Sequence, residues 1–149
     1  MSHVRTQIRE AFRNAFINGL DAADYTIYAS RKYARNHTPG KALVDIRILN
    51  VNIEQQTMGD DRSHTASLYV RVQRSETEQD LDDALDVDEV LLTQIVEATD
   101  WTSLLEEDPE LMQVNFSDDA ETGATVGAII LRFDVEYRIN KTNPEIVRN

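Results

Sequence analysis

The chain has 149 residues, a net charge of −12, 41% hydrophobic residues and no cysteine, which fits one domain, 1–149, large enough to bury a core without cross-links. The composition excludes a disulfide framework, a thiol nucleophile and a thiolate metal site. No run approaches the ~18 apolar residues of a membrane span, Met1-Ser2-His3-Val4-Arg5 lacks the apolar core of a signal peptide, and the acidity argues against general nucleic-acid binding; a soluble protein made inside the cell is expected, with no membrane partner.

Residues 3–20 predict a helix. Val4, Ile8, Phe12, Phe16 and Leu20 recur every four residues, with Ala11 and Ala15 beside them and Ser2 in position to cap. Arg5, Arg9 and Arg13 form a second line on the flank of that stripe. They either cover apolar surface with their stems or form a basic ridge for an acidic partner. Residues 21–41 interleave Tyr25, Ile27, Tyr28 and Tyr33 with Arg31, Lys32 and Arg35 before a Pro39-Gly40 turn. Basic and aromatic residues together can bind single-stranded nucleic acid. The shortness of the stretch favours a connection that packs its tyrosines on a sheet.

Residues 43–54 predict a strand with a phase slip at Leu49-Asn50, the mark of a β-bulge. Residues 65–74 predict its hairpin partner, Ala66, Leu68, Val70 and Val72 facing in and Tyr69, Arg71 and Gln73 facing out. The polar loop Gln55 to His64 between them is a contact candidate. Residues 81–99 predict a second helix, starting near Asp86, with Leu85, Val87, Val90, Leu91, Ile95 and Ala98 buried and Leu92 and Val96 widening that face. Ser103 to Glu106 has the spacing of a capping box opening a short helical turn. Residues 111–117 predict a strand with Met112, Val114 and Phe116 on one face, then an acidic turn from Asp118 to Gly123. Residues 125–140 alternate strictly and predict the longest strand, followed by a loose tail, 141–149. The expected fold is α+β, in the order α-β-β-α-β-β. It is an antiparallel (mixed) sheet of about four strands with two main helices packed on one face.

The charge is unevenly placed. Residues 1–41 carry seven Lys/Arg against three acids, and residues 75–149 carry four against twenty. The densest run, Glu76 to Glu89, holds eight acids in fourteen residues without a cation. Acids in a first helical turn are favoured by the macrodipole, which gives part of that run a local cause. His3, His37 and His64 have no ligand spacing. Asp82, Asp83 and Asp86 lack the spacing and glycine of an EF-hand loop. Ser63-His64 are sequence neighbours whose side chains diverge on a strand, and no phosphate-binding glycine loop or nucleophile elbow occurs. No catalytic residue, cofactor or metal is expected. A small carboxylate hydrolase is the weakest of the classes considered.

Taken together, a basic helix containing Ile8-Arg9-Glu10-Ala11-Phe12, a Pro-Gly turn into the strand Ala42 to Ile53, a hairpin partner ending at Arg74, a helix reading Asp88 to Val96 and a strand ending Arg132-Phe133-Asp134-Val135-Glu136-Tyr137-Arg138 before Asn143-Pro144 resemble the tail terminator (minor tail) proteins of long-tailed bacteriophages. The resemblance concerns arrangement over about residues 3–145 and carries no catalytic signature. It implies a structural virion protein of the tail or neck, soluble in the host cytoplasm before assembly. It also implies a homo-hexamer ring that caps the tail tube, ends its polymerisation and meets the head-tail connector protein, with DNA passing through the lumen without specific binding. Neck and head-closure components share these features, and an acidic DNA-mimic inhibitor is the alternative from another class. Within the ring, Arg5, Arg9 and Arg13, or Arg31, Lys32 and Arg35, are the expected contacts to a neighbour's acidic surface. Glu76, Glu78, Asp80, Asp82, Asp83 and Asp86 are expected on the lumen or a partner surface. Gln56, Met58, Asp60, Asp61 and Arg62 are the expected contact loop.

Overall fold

A computed structural model describes residues 3–28, 42–54, 61–75, 78–119 and 126–140 of the chain. The class is α+β: two helices and a five-stranded mixed sheet. Helix α1 spans Val4–Gly19 and buries Val4, Ile8, Phe12 and Phe16, the stripe its four-residue spacing dictates. Its cap is His3 rather than Ser2. The His3 Nδ1 accepts the Arg5 N–H at 3.0 Å, and the His3 carbonyl accepts from Thr6 and Gln7.

The strands are β1 (Tyr25–Tyr28), β2 (Ala42–Glu54), β3 (Asp61–Ser75), β4 (Glu110–Asp119) and β5 (Val126–Asn140), with helix α2 (Glu78–Ala98) between β3 and β4. They lie in the order β1-β2-β3-β5-β4. The strand count corrects the expected four. Tyr25-Thr26-Ile27-Tyr28 consists of strand formers and pairs with β2 in parallel, Tyr25 opposite Ala42. The expected connection over 21–41 thus contains an edge strand. All other pairings are antiparallel.

Both helices pack on one face of the sheet, α1 against β1 and β2, α2 against β3 and β5. Four inward rows cross it, from Ile27–Val44–Val72–Ile129 to Val51–Ala66–Val135. The expected bulge in β2 is present, with the register shifting between Ile48 and Asn50. It turns Val51 and Ile53 back to the helix side. A second bulge falls in β4 between Leu111 and Gln113. Met112 therefore leaves the alternation that the sequence suggested, and Leu111 joins Val114 on the core side. No described helix is long and apolar enough to cross a membrane.

Three boundaries differ from expectation. α2 begins at Glu78, two turns before Asp86, because Leu81 and Leu85 extend its buried stripe. β3 begins at Asp61, so residues 61–64 belong to the sheet and Ser63 and His64 are buried. After α2 the chain makes a single turn at Trp101, whose carbonyl accepts from Leu104 and Leu105. Asp100, not Ser103, braces that turn by accepting from the Thr102 N–H and hydroxyl at 3.0 and 2.7 Å, contacts that hold its carboxyl below the usual range. Trp101 is buried, donates from Nε1 to the Val96 carbonyl at 2.9 Å, and stacks 4.5 Å from Phe12.

Candidate functional site

The largest departure from the expected packing is the face that α2 turns inward. Leu81, Leu85, Asp88, Leu92 and Val96 are its buried residues, a spacing that keeps one side of the helix on the sheet. Val87 and Val90, expected inside, are 55% and 54% exposed, and Leu91 is 37% exposed. α2 therefore has a second apolar flank outside the core. Asp83 and Asp86 share that outer side and are exposed. The result is an outward surface of valine and leucine bordered by carboxylates on its N-terminal side.

Asp88 takes an inward position because a cation meets it there. The Arg74 Nε donates to Asp88 Oδ2 at 2.5 Å and the Arg74 Nη2 donates to Oδ1 at 2.8 Å, a bidentate pair. The Tyr25 hydroxyl donates to the same Oδ1 at 2.6 Å, and the Arg74 guanidinium lies over the Tyr25 ring, 5.4 Å from its centre. Burial, followed by the bond to Asp88, pushes the Tyr25 hydroxyl up to about 12. The hydrogen bond to Asp88 raises Arg74 further above its already high value. Three elements, β1, β3 and α2, are thus locked together, which fixes how α2 lies across the sheet. Nearby, Gly127 of β5 lets Leu81 seat directly on the strand, since a Cβ there would lie 2.7 Å from Leu81 Cδ2.

The line of helix arginines lies at the other end of the sheet. Arg5 and Arg9, with His3 and Thr6, form one wall of a cavity of about 440 Å³ whose other wall is Ile48, Leu49 and Val51 at the β2 bulge. Arg9 Nη2 donates to Thr6 Oγ1 at 3.0 Å, and the Arg5 guanidinium folds back on His3. Leu49 and, further along β2, Ile53 are 54% and 56% exposed. Beneath this corner His64 and Tyr137 are buried with ring centres 5.2 Å apart. Burial pushes the Tyr137 hydroxyl up to about 12, against the opposing pull of Arg5 and Arg9. That hydroxyl meets no hydrogen-bonding group among the described residues.

Arg13 stands apart from the cavity, paired with Glu10 at 3.6 Å in the open. The expected groupings are therefore only partly brought together: Arg5 and Arg9 share a concave surface and Arg13 does not line it. Glu78, Asp80 and Asp82 fall in the first turns of α2, and Asp61 and Arg62 open β3 rather than a loop. Arg31, Lys32, Arg35, Gln56, Met58, Asp60 and Glu76 lie outside the described residues, as does the tail 141–149.

Among the described residues no helix covers the sheet's other face. There three arginines are paired locally, Arg47 with Asp45 at 2.6 Å, Arg132 with Asp134 at 3.3 Å and Arg138 with Glu106 at 2.6 Å. Among the described residues no group of three His, Asp or Glu side chains gathers as a metal site would require. Compared with known proteins, the sequence matches no protein-family model, and no curated protein sequence matches it significantly.

Proposed function

We propose that this chain is a structural subunit of a long-tailed phage tail, of the tail-terminator kind, that joins copies of itself into a closed ring at the end of the tail tube. The observation that carries this reading is the outer flank of α2. A helix that already buries a full stripe leaves Val87, Val90 and Leu91 largely in solvent, and an exposed apolar patch rimmed by charge is the usual mark of a protein–protein surface. The charge separation supports the same reading. A basic first quarter and a strongly acidic second half give one chain two complementary surfaces, as a heterologous ring contact requires. The net charge of −12 suits a wall past which DNA slides without adhering.

Light scattering and electron microscopy of the purified chain, across a range of salt and Mg²⁺ concentrations, are the test, together with its addition to polymerising tail tube protein. Rings of one subunit number, and tubes that stop growing when the protein is added, are expected. A chain that stays monomeric at every concentration and leaves tube length unchanged would overturn the reading.

A further inference from the structure

We propose that the ring contact is made by the outer flank of α2 on one copy seating in the cavity between α1 and the β2 bulge on the next. The inference rests on the ring reading and names its two surfaces. Both sides combine apolar and charged groups, and the charges are opposite. The flank offers Val87, Val90 and Leu91 with Asp83 and Asp86 beside them. The cavity offers Leu49 and Val51 with Arg5 and Arg9 facing them. The two aspartates lie one helical turn apart, with Val87 and Val90 each four residues further on, so one side of the helix presents a pair of carboxylates followed by a pair of apolar side chains. Arg5 and Arg9 also lie one turn apart, on the wall opposite Leu49. A helix laid in that cavity would set acid against arginine and valine against leucine.

The two surfaces do not meet within one chain. Val87, Val90 and Leu91 are exposed on the side of α2 turned away from its buried stripe, whereas the cavity lies between α1 and the β2 bulge. Each copy therefore offers a flank to one neighbour and a cavity to another, and the contact propagates until rotation closes it. The Arg74–Asp88–Tyr25 cluster belongs to the same design, because it sets which side of α2 faces outward.

The chain contains no cysteine, which makes the contact directly testable. In full-length protein carrying both Leu49→Cys and Val90→Cys, mild oxidation should give a ladder of covalent oligomers ending at the ring size, while either single variant gives dimers at most. Independently, Arg5→Glu with Arg9→Glu, or Asp83→Arg with Asp86→Arg, should weaken self-association by at least about a hundredfold, since like charges then face each other. Mixing the two reversed proteins should restore it. Circular dichroism and melting of each variant establish that it is folded. An unmodified chain that forms rings, with reversed variants that assemble equally well and no ladder from the double-cysteine protein, would sink this contact and leave the ring reading standing. An unmodified chain that never associates removes both.

Discussion

At the end of the sheet where β1 starts, Arg74, Asp88 and Tyr25 satisfy one another through four hydrogen bonds from three separate elements. At the opposite end, Tyr137 is fully buried beside His64, where Tyr25 is only partly so, yet its hydroxyl meets no hydrogen-bonding group among the described residues. Both tyrosines are pushed up to about 12, but for different reasons. Tyr25 keeps its proton because burial and Asp88 both hold it there. Tyr137 keeps its proton because burial alone outweighs the pull of Arg5 and Arg9. A shifted tyrosine therefore says little about how much the group stabilises the fold; its partners say more.

The contrast is broken most severely at Asp88. Asp88→Ala leaves a buried guanidinium without its carboxylate and should cost about 3–5 kcal/mol in urea unfolding, with loss of the fixed seating of α2. Tyr25→Phe removes the bond to Asp88 and the longer one accepted from Arg74 while the arginine–aspartate pair remains, and a loss of about 2 kcal/mol is expected in the same measurement. Alkali sharpens the comparison further. Each folded-state value lies above the ordinary tyrosine value of 10.0, so unfolding releases protons as pH rises. The stabilising contribution is whole below pH 10 and is lost as pH climbs to about 12. Melting followed between pH 8 and 12 should show that decline, weakened in either phenylalanine variant and weakest in the double variant. The smallest effect is expected for Tyr137→Phe at neutral pH, within about 1 kcal/mol of the parent, because no hydrogen-bonding partner among the described residues is lost. A large loss there would erase the difference between the two ends.

Much of the fold is legible from periodicity. The α1 stripe, the β2–β3 hairpin, the bulge near Leu49 and the alternation of β5 all follow from spacing. The polar clusters were legible too, one step further out. Extending the inward alternation of β3 from Ala66 and Val72 by one position each way reaches His64 and Arg74, and both are buried. Asp88 stands on the line Leu81, Leu85, Leu92 and Val96 of α2. A carboxylate on that line is not recognisable as inward without its distant arginine, and with the stripe centred on Asp88, Val87 and Val90 fall on the outer flank. Its partner Tyr25 is 63 residues away from Asp88, in a four-residue strand whose parallel pairing no local pattern announces. The cavity beside α1 was legible only in its arginines. Its other wall depends on how the bulge turns Leu49 and Val51, which is a property of the paired strands.

Trp101 is the chain's one tryptophan, and its place turns it into a built-in reporter. It sits at the exit of α2, bonded to Val96, with its ring on Phe12 of α1, which in turn lies 5.9 Å from Phe133 of β5. Its emission therefore samples the junction of both helices with the sheet, and none of the residues proposed to join neighbouring copies. A blue-shifted spectrum that stays constant while particle size grows would separate assembly from unfolding in one cuvette, without any added label.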